Sequence, residues 1–110
     1  MRHYRAAEIT STSDGDHFRR MVLEVPDIRT GMLGFEAGEV IPRHAHLRSQ
    51  EVFLFLRGTC TMRVDDEQFE AGPGDLVLVE PGGFHEFTVH DEPLVVLAVV
   101  APNLDDVEMG

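Results

Sequence analysis

The sequence predicts an all-β domain, a sandwich or barrel of short strands. Three observations carry this expectation. β-Branched and aromatic runs of strand length recur along the chain, Gly and Pro clusters separate them at short intervals, and no stretch keeps a 3.6-residue apolar period over three turns. The 110 residues suffice for one domain with one core. A composition 43% hydrophobic and 26% charged is that of a globular chain, not of a disordered, collagenous or coiled-coil one.

Residues 1–18 lack strand patterning and read as an N-terminal arm or edge strand, leaving 19–110 as the barrel domain. A strand over 19–25 ends at Pro26-Asp27. Thr30-Gly31 reads as a break before a strand over 32–36, which Ala37-Gly38 closes. Val40, Pro42, His44 and His46 then fall at alternate positions, the signature of an extended segment with one shared face. After a possible turn at 47–50, a strongly apolar strand covers 51–55. Arg57 shares the inward phase of that strand, where an unpaired charge is costly, so the strand is expected to twist before Gly58 and release Arg57 to solvent. Strands over 59–64, 76–79, 85–89 and 94–100 follow. Asp65-Asp66-Glu67 suits a hairpin tip, and 71–74, 81–83 and Ala101-Pro102 are Gly- and Pro-rich turns. Cys60 alternates with Met62 and Val64, as a core residue would.

Charge narrows the function. Nine basic against 20 acidic residues leave −11, and residues 51–110 hold the whole deficit. Such a surface repels phosphate backbones, so no nucleic-acid partner is expected. Every basic residue is Arg, which removes Schiff-base chemistry and Lys-dependent phosphate loops. No apolar run approaches the roughly 20 residues of a membrane span, and the opening MRHYRAAEITS lacks the apolar stretch of a secretory leader. The expectation is a cytoplasmic protein without a membrane partner. One cysteine allows no intrachain disulfide and no thiolate zinc site.

The chemistry lies in a histidine and carboxylate set. His44 and His46 project from one face about 7 Å apart along an extended chain. Glu51 opens the next strand, and His85 follows the tight turn at 81–83. Three neutral imidazoles and a carboxylate on the inner wall of a barrel would supply four ligands to a divalent metal, with positions left for water or substrate. His3, His17 and His90 lack partners at ligand spacing and read as surface residues.

These residues also match a family pattern. Gly38, five residues, His44-Ala45-His46, four residues, Glu51, six residues and Gly58 resemble the first motif of the cupin superfamily. The stretch from Gly74 through Asp75 and Pro81-Gly82-Gly83 to His85 resembles the second, after 15 intervening residues. Glu80 stands where the family usually has Pro, and Val89 where it usually has Asn. The resemblance implies a small single-domain cupin of the jelly-roll or double-stranded β-helix type. It implies one divalent transition metal (Fe, Mn, Ni, Zn or Cu) on His44, His46, Glu51 and His85. Cupins of this size often form homodimers through a sheet face or an exchanged N-terminal strand, and that is expected here.

Phe53 and Phe55 are in phase with Glu51, and Phe87 with His85, so they are candidate substrate contacts beside the metal as well as core residues; Gln50 is a candidate at the mouth. The expected function is a metal-dependent enzyme acting on a small molecule, with dioxygenase-like oxidative cleavage first. Alternatives are a redox-neutral isomerase or lyase and a non-catalytic module that binds a metabolite or a metal.

Overall fold

The computed structural model describes residues 1–12 and 15–110. Among these residues the chain forms one short helix, α1 (Ala6–Ile9), and ten strands: β1 (Phe18–Val25), β2 (Ile28–Phe35), β3 (Val40–His46), β4 (Gln50–Arg57), β5 (Cys60–Val64), β6 (Glu67–Ala71), β7 (Leu76–Val79), β8 (His85–Val89), β9 (Leu94–Ala101) and β10 (Val107–Met109). They form two five-stranded sheets. The first has the order β1-β2-β9-β4-β7 and the second β10-β3-β8-β5-β6, with every pairing antiparallel. Two facing sheets that exchange strands along the chain make a jelly roll, as expected.

Alternation decides what lies between the sheets. Glu51, Phe53 and Phe55 on β4 point inward, and they meet Met62 and Cys60 on β5, Phe87 and Val89 on β8, and Leu94, Val96 and Ala98 on β9. Burial pushes the Cys60 thiol up to about 12, with Glu70 and Asp75 adding to the effect, so it packs as an apolar side chain. Arg57 leaves the row as expected: the β4–β9 register slips between Phe55 and Arg57, and the side chain is exposed. Gly58 ends the strand with φ +75, and a Cβ there would lie 2.2 Å from the Pro93 carbonyl oxygen. Only glycine meets both constraints, which gives this motif position a physical cause.

Several boundaries differ from the sequence expectation. Thr30-Gly31 is no break: β2 already starts at Ile28, and Gly31 pairs with Met21 inside the sheet. Gly34 leaves room for the Phe18 ring, whose nearest atom would lie 2.1 Å from a Cβ at that position. Within the segment read as an N-terminal arm or edge strand, several described residues are tied to the first sheet. Phe18 already belongs to β1, Ile9 of α1 packs against the Phe18, Met32 and Val95 cluster, and Arg20 donates to the carbonyls of Ile9 and Ser11 at 2.9 and 3.0 Å. The helix therefore covers part of the outer face of the first sheet. No helix among the described residues is long and apolar enough to cross a membrane.

Candidate metal centre

The histidine and carboxylate set sits at one end of the barrel, with donors from both sheets. β3 and β8 of the second sheet supply the imidazoles, and His44 faces His85 directly across the β3–β8 pair with ring centroids 4.3 Å apart. Glu51 comes from β4 of the first sheet and is buried. Donor atoms of His44, Glu51 and His85 all lie within 4.8 Å of one another. His46 lies outside that mutual group, yet its Nε2 reaches the same Glu51 oxygen at 3.3 Å. The turn before His85 is tied to this strand as well, because the Gly82 N–H donates to the His46 carbonyl at 2.8 Å.

Each imidazole is oriented by an acceptor on Nδ1. For His44 it is the Pro42 carbonyl at 2.8 Å, for His85 the Gly83 carbonyl at 3.0 Å, and for His46 the Asp106 carboxylate at 3.0 Å. A carbonyl can only accept, so Nδ1 carries the hydrogen and Nε2 keeps its lone pair for the interior. That is the orientation a ligating histidine needs. The Glu51 Oε1 and His85 Nε2 approach to 3.1 Å without the angles of a hydrogen bond, and both are buried atoms with no hydrogen-bond partner among the described residues. Two buried acceptor-type atoms facing one point are costly until something positive occupies it. The donor set therefore fits a divalent cation, and a carboxylate with imidazoles suits a first-row transition metal.

Electrostatics hold Glu51 ionised and act in opposite directions on His44 and His46. Burial acts to raise the Glu51 carboxyl, but the contacts from His46 and His85 outweigh it and hold the group near 2, against an ordinary 4.5. Burial lowers His44 below its ordinary 6.5, so it stays neutral and able to ligate. The Glu51 carboxylate is the largest of the causes that raise His46, with Asp106 adding to it.

Asp106 carries no motif signal and was not among the residues expected at the site. It lies in the tail just before β10, which pairs with β3 in the register Val107 to His46 and Met109 to His44. That pairing brings it beside His46, where it is buried. Burial would raise its carboxyl, yet the Arg48 backbone N–H, donating at 2.7 Å, and His46 together leave it lowered and ionised.

The other expected site residues fall elsewhere. Phe53, Phe55 and Phe87 are almost wholly buried in the core beneath the cluster, with Phe53 edge-on to His85 at 5.4 Å. Gln50 is exposed at the start of β4. None of the four lines the cavity of about 680 Å³ that opens above His44, His46 and Glu51; its wall includes Arg19, Arg29, Leu33, Ile41 and Met109. His17 is exposed and meets Glu39 at 3.0 Å, and the half-buried His90 meets Glu70 at 3.0 Å and the Thr59 and Thr61 hydroxyls at 2.8 Å.

A jelly roll with an imidazole and carboxylate cluster at the mouth of its cup belongs to the class of small barrels able to seat a metal beside a ligand cavity. Residues 31–100 match the family model of the cupin domain, and the chain belongs to the cupin family. An uncharacterised protein of Methanocaldococcus jannaschii is 29% identical over 98 residues, which cover 83% of this chain and 77% of that protein. Among solved structures, an uncharacterised double-stranded β-helix protein of Klebsiella pneumoniae superposes with a TM-score of 0.85 at 23% identity, covering 100% of this chain and 97% of that one. The DMSP lyase DddQ of Ruegeria pomeroyi superposes with a TM-score of 0.71 at 22% identity, covering 77% of this chain and 44% of that one. These likenesses establish the fold.

Proposed function

We propose that the protein is a metal-dependent enzyme acting on a small molecule, with one divalent transition metal held by His44, Glu51 and His85 and with His46 as a fourth ligand. One observation carries this reading: donor atoms from two sheets converge within 4.8 Å at the floor of a cavity, and two of those residues present buried atoms without hydrogen-bond partners among the described residues. When bound, the metal supplies Lewis-acid or oxygen chemistry to a substrate oxygen. The chain's own residues do the rest. Pro42, Gly83 and Asp106 fix the imidazole tautomers, Phe53 and the core below exclude water from beneath, and Leu33, Ile41 and Met109 present an apolar wall to the guest.

Oxidative cleavage with Fe(II) and O₂ is the first chemistry proposed, because a histidine-rich site with a carboxylate suits non-haem iron. A redox-neutral lyase is the second reading, favoured by the DMSP lyase among the structural neighbours. Untagged protein purified without chelating resin should carry about one transition metal per chain by elemental analysis. Iron-loaded protein should consume O₂ with an enediol, phenol or thiol from a small panel, and His85→Ala should abolish that uptake. Metal at background level in the wild type refutes the proposal. Stoichiometric metal with no O₂ uptake across the panel moves the reading to elimination or isomerisation.

A further inference from the structure

The cavity has a second chemical landmark across from the cluster. Arg29 on β2 lines it, together with Arg19 and Glu24 of β1. Strand register fixes where Arg29 stands. It pairs with Val100 on β9, and Val100 pairs on its other side with Glu51 on β4. Directly opposed residues project from the same face of a sheet, so Arg29 and Glu51 share the inner face two strand spacings apart, roughly 10 Å between backbones.

Arg29 is aimed but not neutralised. Its Nη1 donates to Asn103 Oδ1 at 2.7 Å and to the Leu104 carbonyl at 3.2 Å, both uncharged acceptors. Glu24 is its cross-strand partner, yet the Glu24 carboxylate accepts from Asn103 Nδ2 at 3.4 Å, and no carboxylate among the described residues comes within ion-pair distance of the guanidinium. A half-buried cation without a counter-ion is costly, and an anionic guest would offset that cost with a two-pronged bond. The floor between Arg29 and Glu51 is Val100, flanked by Gly31 and Ala98, which leaves room for a short aliphatic chain. The wall carries two guanidinium groups against the carboxylates of Glu24, Glu51 and Asp105, so a divalent cation on the cluster turns its balance from negative to positive.

We infer that Arg29 is a substrate-binding residue that selects small carboxylates, holding the acid at one end of the cavity while an oxygen at the other end of the molecule lies against the metal cluster. This rests on the metal-dependent reading above. The test is calorimetric titration of the zinc-loaded full chain with malonate, succinate and glutarate and with their diamides, which keep the carbonyl oxygens but carry no carboxylate. At least one diacid should saturate the wild type more tightly than its diamide. Arg29→Gln should weaken that diacid roughly tenfold to a hundredfold, leave the diamide unchanged and so narrow the discrimination, while Arg29→Lys recovers part of it. Zinc affinity of Arg29→Gln by chelator competition should match the wild type. Equal weakening of acid and amide, or loss of zinc in Arg29→Gln, would make Arg29 a tether for the tail and overturn the inference. Absence of saturable diacid binding to the zinc-loaded wild type below about 10 mM also overturns it. A wild type that takes up no zinc fails at the earlier stage, before any acid is added; it removes the metal reading and this inference together.

Discussion

Asp106 offers the sharpest perturbation of the metal centre, because its two oxygens serve two different donors. One accepts from His46 Nδ1 at 3.0 Å and the other from the Arg48 backbone N–H at 2.7 Å. In Asp106→Asn the amide keeps one oxygen. The Arg48 N–H cannot change its nature, so it retains that oxygen and the new NH₂ faces His46. His46 Nδ1 must then accept, its hydrogen moves to Nε2, and Nε2–H points at Glu51 instead of offering a lone pair. To ligate, the ring must return to the other tautomer against an unsatisfied buried donor. That costs about 1 to 3 kcal/mol, or roughly 5- to 150-fold in metal affinity. A loss of about 10- to 100-fold is typical when the orienting partner of a ligand is changed.

Folding stability should respond differently, and the difference separates a positioning role from a merely structural one. In metal-free Asp106→Asn both neighbouring donors find partners after the tautomer change, so stability falls only by the weakening of two charge-assisted bonds, about 1 to 2 kcal/mol. Asp106→Ala strands both donors, and each stranded group costs about 1 to 3 kcal/mol, a large share of a small domain's stability. Chelator competition gives the affinity, urea unfolding of the metal-free protein gives the stability, and the ¹⁵N shifts of His46 at alkaline pH report the tautomer. Zinc affinity of Asp106→Asn within twofold of wild type, or an unchanged His46 tautomer, refutes the reasoning.

Three further outcomes are expected. His44→Ala and His85→Ala should each lose most bound metal in elemental analysis of untagged protein, whereas His90→Ala, whose partners are Thr59, Thr61 and Glu70, should keep it; equal loss in all three contradicts the assignment of the site. In the metal-free protein the depressed Glu51 carboxyl contributes stability that is present above pH 4.5 and is lost as pH falls toward 2, a span worth about 3 kcal/mol. Urea midpoints of Glu51→Gln should fall less steeply than those of wild type across that window, and parallel curves refute this. The homodimer expected from the sequence has a candidate surface on the outer face of the first sheet, where Val52 pairs with Leu78 and Leu54 with Leu76, and where Leu76 and Leu78 remain exposed beyond the reach of α1. Light scattering should return about twice 12.3 kDa for the wild type and one chain's mass for Leu76→Lys with Leu78→Lys; a monomeric wild type removes the expectation.

What could be read from the sequence follows what each residue reports locally. β7 and β8 have the expected bounds because Gly and Pro turns flank both, so local chemistry sets their ends. The sequence places a break at Thr30-Gly31 where β2 runs on, because a glycine that permits a turn and one that pairs inside a sheet, as Gly31 does with Met21, look alike in one dimension. His44, Glu51 and His85 were legible because each sits at an alternate position on a strand with a fixed inner face, and the register then brings them together. Asp106 was not legible. Its partner lies 60 residues away, and β10, which delivers it, is only three residues long with every residue exposed, too short for its alternation to announce a strand.

The aromatic residues show the limit of phase as evidence. Phe53 and Phe55 follow Glu51 on the same inner face of β4, and Phe87 follows His85 on β8, so their side of the sheet was correctly implied. Each two-residue step also moves about 7 Å along the strand. Glu51 and His85 stand at the strand ends that meet the cavity, and successive inward residues descend from it into the sealed core, where Phe53, Phe55 and Phe87 pack on one another. Alternation therefore tells which residues enter the cup but not how deep they lie. Depth depends on where each strand crosses the barrel, and that is set by pairings such as Arg29 with Val100 and Val100 with Glu51. The same pairings place a guanidinium from β2 across the cavity from the cluster, a juxtaposition that neither motif contains.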